Sequence, residues 1–423
     1  MQRYKLLIFL VLTGFLLACP LKAGENPSYT LEQLITMTLA SQPQLTAAQA
    51  QIEQKQGASL QAYSNYYPQI GVSSGYNKTS YSTSVYSSNS GQWSSSLSLQ
   101  QFLTDFGKTS AGVKSVNAGL TQAQLSYRET CQTVLLSVYQ NYYSVLQNKA
   151  QLEVQQKNLD SLRLHLEQAT HFYKAGTKPK IDVTQAGVNL LSGEYQLQQA
   201  SNDLAVSLAQ LATAVGRKDL GDYRVAGELA YRDYSLNLED ALTKAFLTRP
   251  DLLAAQVQVD GARANLLAKE RNLNPSLNGN LSYNLQDTKF PPQANSFYYG
   301  LSLSLPVFDG YQTKGAIVQA RGQLKQYLAQ LDSLQLTVFE EVKSNWLTLQ
   351  SNRKNYQVAQ ESVKLALENR ELAQQRYQAG VGSYLEFFDA QYNYLQAQSD
   401  EINALAAYNS SLAALKQAMG ILE

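Results

Sequence analysis

The chain has 423 residues, 44% of them hydrophobic and only 16% charged, which excludes a fully disordered protein. Thirty-four Lys and Arg against 33 Asp and Glu leave a net charge of +1, so no basic footprint for nucleic acid is present. Two His and two Cys are too few for a His/Cys metal centre or a Cys/His catalytic pair, so neither metal nor other cofactor is expected.

The chain opens on an export signal. Arg3 and Lys5 precede the apolar run Leu6 to Leu17, and no acidic residue occurs before Glu25. The run is too short to span a bilayer and has the layout of a secretory leader. Two processing readings stand. Leu16-Leu17-Ala18-Cys19 resembles a lipobox, which would remove residues 1–18 and lipidate Cys19. Cleavage after Ala23 would instead remove 1–23 and Cys19 with it. On either reading Cys131 has no partner and is read as a small buried helix residue. No later stretch approaches 18 consecutive apolar residues, so a membrane would have to be crossed by strands.

The remainder says the same thing twice. Thr30-Leu31-Glu32-Gln33-Leu34 is echoed by Asn237-Leu238-Glu239-Asp240-Ala241, and Gln42-Pro43-Gln44-Leu45 by Arg249-Pro250-Asp251-Leu252. Tyr67-Pro68-Gln69-Ile70 matches Asn274-Pro275-Ser276-Leu277, Thr104-Asp105-Phe106-Gly107 matches Phe308-Asp309-Gly310-Tyr311, and Tyr173-Lys174-Ala175-Gly176 matches Tyr377-Gln378-Ala379-Gly380. Five collinear matches define repeats at 30–215 and 236–420, joined by a link at 216–235.

Each repeat carries strand-like segments near 68–77 and 92–103, then near 275–286 and 296–307. In Leu277, Gly279, Leu281, Tyr283 and Leu285 the neighbours are polar, and Phe297, Tyr299, Leu301, Leu303 and Leu305 alternate likewise before Pro306. Period two over about ten residues fits a transmembrane β-strand with one apolar and one hydrophilic face. The segments Asn77 to Gly91 and Asp287 to Asn295 read as turn-like or disordered tips. Asp309-Gly310 reads as a strand-to-helix joint. Beyond Gly107 and Tyr311, apolar residues recur every three or four positions with no proline before the Ala-Gly pairs, which predicts helices on the order of 100 Å long. The return helices alternate large and small residues, as in Val183, Ala186, Leu190, Gly193 and Leu197, a pattern that permits close, supercoiled packing. Four strands cannot close a barrel, so the missing edges must come from other copies.

These features resemble the TolC-like outer-membrane efflux protein family across nearly the whole mature chain. The specific pieces are Leu305-Pro306-Val307-Phe308-Asp309-Gly310 and Arg376-Tyr377-Gln378-Ala379-Gly380 leading to Leu385-Glu386-Phe387-Phe388-Asp389-Ala390-Gln391. The resemblance implies a mixed fold, part all-α and part β-barrel. In it a homotrimer forms a 12-stranded transmembrane barrel in outer-membrane lipid, which continues into a periplasmic α-helical coiled-coil barrel. It implies an exit duct for drugs, metals, peptides or proteins, handed over by an inner-membrane transporter through a periplasmic adaptor, and no enzyme. It also implies a gate at the periplasmic helix tips. There Tyr377 stands at the gate tyrosine, Asp182 at its aspartate partner, and Glu386 and Asp389 at the acidic ring. The family's gate arginine is replaced by Gly382, leaving Lys178 or Lys180 as substitutes. The turns at Gly176, Gly380 and Gly382 are the implied adaptor contact.

Other groups carry blander readings. Asp182 and Glu386 fall in first helical turns, where a carboxylate favours the helix dipole whatever else it does. Glu340-Glu341 beside Lys343 reads as a solvated coil face. His165 and His171 lie six apart, a poor metal pair, and Trp346 reads as packing. A coiled-coil scaffold or surface stalk without a pore is the rival architecture, and a surface hydrolase finds no catalytic constellation.

Overall fold

A computed structural model describes residues 28–85, 87–218 and 224–422. The leader, both cleavage points and Cys19 lie outside the described residues. Strand β1 (Ser28–Tyr29) is followed by helices α1 (Leu31–Ser41) and α2 (Pro43–Tyr63), strands β2 (Gln69–Ser82) and β3 (Ser87–Thr104), and helices α3 (Lys108–Lys174) and α4 (Lys180–Val215). After β4 (Arg224–Val225) the order recurs as α5 (Leu238–Thr248), α6 (Pro250–Glu270), β5 (Ser276–Asp287), β6 (Ala294–Ser304), α7 (Gln312–Gln378) and α8 (Tyr384–Ala418). Thr30 caps α1 in a reciprocal box with Gln33, and Pro43 and Pro250 begin α2 and α6, where a missing N–H costs nothing.

α3 and α7 each have 67 residues, about 100 Å at 1.5 Å per residue. Asp105 launches α3, its carboxylate accepting from the backbone N–H of Gly107 (3.1 Å) and Thr109 (2.8 Å). Asp309 launches α7 in the same way, accepting from Thr313 N at 2.9 Å. Hydrogen bonds from the Thr313 side chain, then from its backbone, hold the Asp309 carboxyl below its ordinary range.

Where the short helices meet the long ones, two apolar cores form a belt. One holds Leu34, Val138, Val145, Leu211 and Val215; the other holds Ala241, Val342, Leu349, Leu415 and Met419, the counterparts one repeat later. The link lies across α7 and α8. Tyr408 donates to the Arg232 carbonyl (2.7 Å), Trp346 donates to that of Leu236 (2.8 Å), and Tyr231 stacks on Tyr356. Trp346 is therefore packing with a satisfied N–H.

The sheet runs β2-β3-β5-β6, antiparallel throughout, with β2 and β6 at its edges. Ile70, Val72, Leu97, Leu281, Tyr299, Leu301 and Leu303 share one face and are exposed. The other face presents Ser96, Ser98, Gln100, Asn280, Ser282 and Ser302. Because side chains alternate, a slip of one residue would exchange the two faces.

The first tip departs from expectation. It is paired strand, with a ladder from Asn77 opposite Gln92 to Ser82 opposite Ser87. Ser, Thr and Asn in water need no apolar alternation; the backbone ladder holds the hairpin, and the Ser80 hydroxyl also donates to Asn89 Oδ1 across it. The neighbouring ladder closes at Gln286 opposite Ala294, level with Ser94, so the first hairpin's ladder runs seven residues, about 24 Å at 3.4 Å per residue, beyond it. At that level Trp93 contacts Tyr76 and Phe290, each at 4.9 Å between ring centroids, an aromatic girdle of the kind found at membrane interfaces.

Candidate periplasmic gate

Both helical hairpins turn by the same device. Gly176 (φ 70°) and Gly380 (φ 77°) are left-handed, a conformation in which a side chain would be strained. Thr177 N donates to Phe172 O and Gly176 N to Tyr173 O, each at 3.0 Å. Val381 N donates to Arg376 O and Gly380 N to Tyr377 O, each at 3.1 Å. These Schellman closures satisfy the last carbonyls of α3 and α7. Ser383 then caps α8, accepting from Glu386 N at 3.0 Å.

Side chains from the two hairpins meet in one apolar cluster of Ala169, Ala186, Ala373, Tyr377, Tyr384 and Phe387. Tyr377 lies at its centre, 4% exposed, stacked on Phe387 at 6.0 Å and edge-on to Phe172 at 6.2 Å. Its hydroxyl is buried and has no hydrogen-bond partner among the described residues. Burial pushes the phenol above its ordinary range, and the charge of Asp182 adds to the shift. Asp182 is therefore near enough to be felt, but the expected tyrosine–aspartate bond is not made within the chain.

Lys178 places its Nζ 5.0 Å from the Tyr377 ring centroid, a cation–π contact rather than a carboxylate pair. Lys180 is exposed on the first residue of α4. Gly176 and Gly380 are exposed at the turns, whereas Gly382 is buried. A Cβ on Gly382 would sit 3.1 Å from the Arg376 backbone, and Gly382 N donates to Arg376 O at 2.9 Å. The chain folds back on its own helix end there, which leaves little room for an arginine.

A cation does reach the acidic face, and sequence reading missed it. Arg376 Nε donates to Glu386 Oε1 at 2.9 Å across the turn. The signal was present, since Arg376 opens the quoted motif, but the ten-residue separation hides the pairing. Asp389, one turn beyond Glu386 and exposed, makes no ion pair among the described residues.

Above the tip, His165 sets its ring edge-on to Phe387 at 4.6 Å and bonds Ser161 (3.1 Å) and Gln168 (3.3 Å). His171 instead lies 3.7 Å from Glu167, and no group of three or more His, Cys, Asp or Glu among the described residues could hold a metal. Burial lowers the His165 imidazole from 6.5, the Arg370 charge acts in the same direction, and the Gln168 bond opposes them. The folded chain thus binds fewer protons than the unfolded chain once pH falls below about 6.5. Stability is undiminished above that pH and declines below it. The Tm of detergent-solubilised protein is expected to fall between about pH 7.5 and about pH 5.5, and to fall less in His165→Gln.

Glu340 and Glu341 are both exposed, as a solvated coil face would be, but Glu341 is also paired. Its Oε2 accepts from Arg249 Nη1 at 2.7 Å, and Arg249, 7% exposed, also clasps Asp251 with Nε (3.0 Å) and Nη2 (2.6 Å). Cys131 is half-buried in α3 and free.

Residues 34–217 and 241–421 each match the sequence profile of the family described as Outer membrane efflux protein. Protein CyaE of Bordetella pertussis is 25% identical over 410 residues, covering 96% of this chain and 86% of that protein. Outer membrane protein TolC of Escherichia coli (strain K12) is 24% identical over 433 residues, covering 99% and 86%. The Campylobacter jejuni CmeC outer membrane channel superposes with a TM-score of 0.81 at 17% identity, over 93% of this chain and 86% of that one. The open state of the Neisseria gonorrhoeae MtrE outer membrane channel gives 0.80 at 17% identity, over 92% and 89%.

Proposed function

This chain belongs to the outer membrane efflux protein family, and on that premise we propose that three copies pool their four-stranded sheets into one 12-stranded barrel. The protein is an outer-membrane exit duct of an efflux system, with a large helical portion in the periplasm. The observation that carries the trimer reading is the sheet itself. It has an apolar exposed face, a face of Ser, Asn and Gln, and two edges with no partner strand among the described residues. An open edge in lipid would leave backbone groups unsatisfied, so each β2 edge would take a β6 edge from the next copy.

Residues 30–215 and 236–420 would act as two helix–strand–strand–helix units, joined by the link 216–235 at the level of the belt. The duct would receive its cargo from an inner-membrane transporter through a periplasmic adaptor docking on the exposed turns at Gly176 and Gly380, with Gly382 shaping the second turn from within. Tyr377 and Asp182 would hold the tips inward, with Lys178 or Lys180 standing in for the family's arginine. Glu386 and Asp389 would line the constriction.

Threefold symmetry would bring three Asp389 carboxylates to the axis, where like charges attract divalent cations. Arg376 partly neutralises Glu386, so Asp389 carries more of that field. In planar-bilayer recordings Asp389→Asn is expected to weaken divalent-cation block by about tenfold, and Glu386→Gln by less. Unchanged block in Asp389→Asn would remove that residue from the constriction. A purified protein that forms no conducting pore at all would remove the duct reading.

A further inference from the structure

The two repeats meet inside one chain, and their junction is a template for a contact the chain leaves unmade at its ends. α3 and α7 both have 67 residues and align end to end, so Leu135 answers to Phe339. α4 and α8 both run into a left-handed glycine, Gly216 and Gly420, and counting back from those sets Ala209 against Ala413. Within the chain, α3 of the first repeat lies against α6 and α8 of the second. Leu135 and Ala413 share a buried cluster with Leu422, and Leu136 and Tyr139 pack on it. Nearer the sheet, a Cβ on Gly261 of α6 would stand 3.0 Å from the Cβ of Ala118 on α3.

The equivalent faces at the two ends of the chain are bare. On α4, Val206, Ala209 and Thr213 are exposed and line an open cavity of about 720 Å³ beside Gln42 and Gln44. Their equivalents on α8, Ser410, Ala413 and Gln417, are buried or half-buried under α3. On α7, Phe339 is 44% exposed where Leu135 is 5% exposed, and Leu336 and Leu347 extend the same uncovered apolar stripe. Two further pairs fit the template. Gln54 on α2 answers to Gly261 and Gly322 on α7 to Ala118, so the small residue needed for close approach changes sides. Glu340 answers to Leu136 and Lys218 to Leu422. Both are exposed and neither makes an ion pair among the described residues, so opposite charges stand where the internal junction is apolar.

We infer that neighbouring copies lock at the belt, Phe339 of one copy seating in the cavity over Ala209 of the next, with Glu340 reaching Lys218 and Gly322 lying on Gln54. The contact joins two different faces head to tail, so it repeats from copy to copy until a ring closes. It rests on the reading that copies of this chain share one barrel, and carries that reading from the sheet to named helix residues.

Two covalent probes test it in outer-membrane fractions. In the wild type, a carbodiimide couples a carboxylate to an amine with loss of water. An amide between Glu340 and Lys218 is expected in peptides from the oligomer and absent from those of the monomer. In Phe339→Cys/Ala209→Cys, a short bis-maleimide is expected to link most chains into an oligomer that survives boiling in detergent, and almost none in either single variant. Leu135→Cys/Ala413→Cys, the same pair inside one chain, calibrates the spacing and is expected to close without joining copies. A link between copies by either probe supports the seat. An intact oligomer in which neither link forms overturns it alone and leaves those faces to another protein. Wild-type protein that forms no oligomer would take down the shared barrel and this inference together.

Discussion

Leu301→Lys is expected to abolish assembly in the outer membrane. Leu301 is 72% exposed, lies in mid-strand on β6 and faces outward with Tyr299 and Leu303. A lysine at the bilayer midplane of a barrel costs about 2–4 kcal/mol, and three copies would carry it, so the trimer would lose about 6–12 kcal/mol. That is comparable to the whole stability of an ordinary domain. Asn280→Lys is the control. Asn280 stands opposite Gly300, on the hydrophilic face next in register to Leu301. Its charge would point into water, and assembly should survive with altered ion selectivity. Unheated gel mobility and outer-membrane fractionation read both variants. Tolerance of both would show that the sheet does not lie in lipid, and a reversed pattern would show that the faces are inverted.

Arg249→Met should destabilise the belt by about 3 kcal/mol, the low end of the range for breaking a buried ion pair. The low end applies because Glu341, one of the two carboxylates left behind, is half-exposed. The first repeat supplies an internal comparison. Gln42 occupies the place of Arg249 there, and its amide donates to Ala214 O at 2.8 Å, as Arg249 donates to Ala418 O at 3.3 Å. Gln42→Met removes that neutral bond and a longer one to Thr213 O (3.5 Å), and should cost about 1 kcal/mol. Thermal unfolding of the detergent-solubilised protein separates the two. Equal shifts would mean that the charge cluster adds nothing to what the carbonyl bond provides.

The sequence made some of this plain and hid the rest for identifiable reasons. The long helices were legible because Leu135, Val138, Tyr142 and Val145 recur at helical spacing with no proline to stop them. The sheet faces were legible because Leu277, Leu281 and Leu285 alternate with polar residues. The hairpin from Asn77 to Gly91 was not, since a ladder with water on both faces leaves no hydrophobic period to read. The solvated Glu341 gave no hint of its pairing, because its partner, Arg249, lies 92 residues away. At the tip, Asp182, Tyr377, Glu386 and Asp389 could be placed by motif. That the Tyr377 hydroxyl lacks a hydrogen bond among the described residues, and that Arg376 reaches Glu386, could not.

Much of the local order followed from the residues alone: the long helices and their returns, the membrane part of each strand with its apolar face, and the recurring order of those elements, but not the strand pairing from Asn77 to Gly91. Those depend on neighbours a few positions apart, where backbone geometry and side-chain period act directly. Folding in three dimensions decided which charges meet, which hydroxyls stay unpaired and why Gly382 leaves little room for an arginine. Such outcomes depend on distances across the tertiary packing, and helices about 100 Å long carry residues close in sequence far apart while bringing distant ones together.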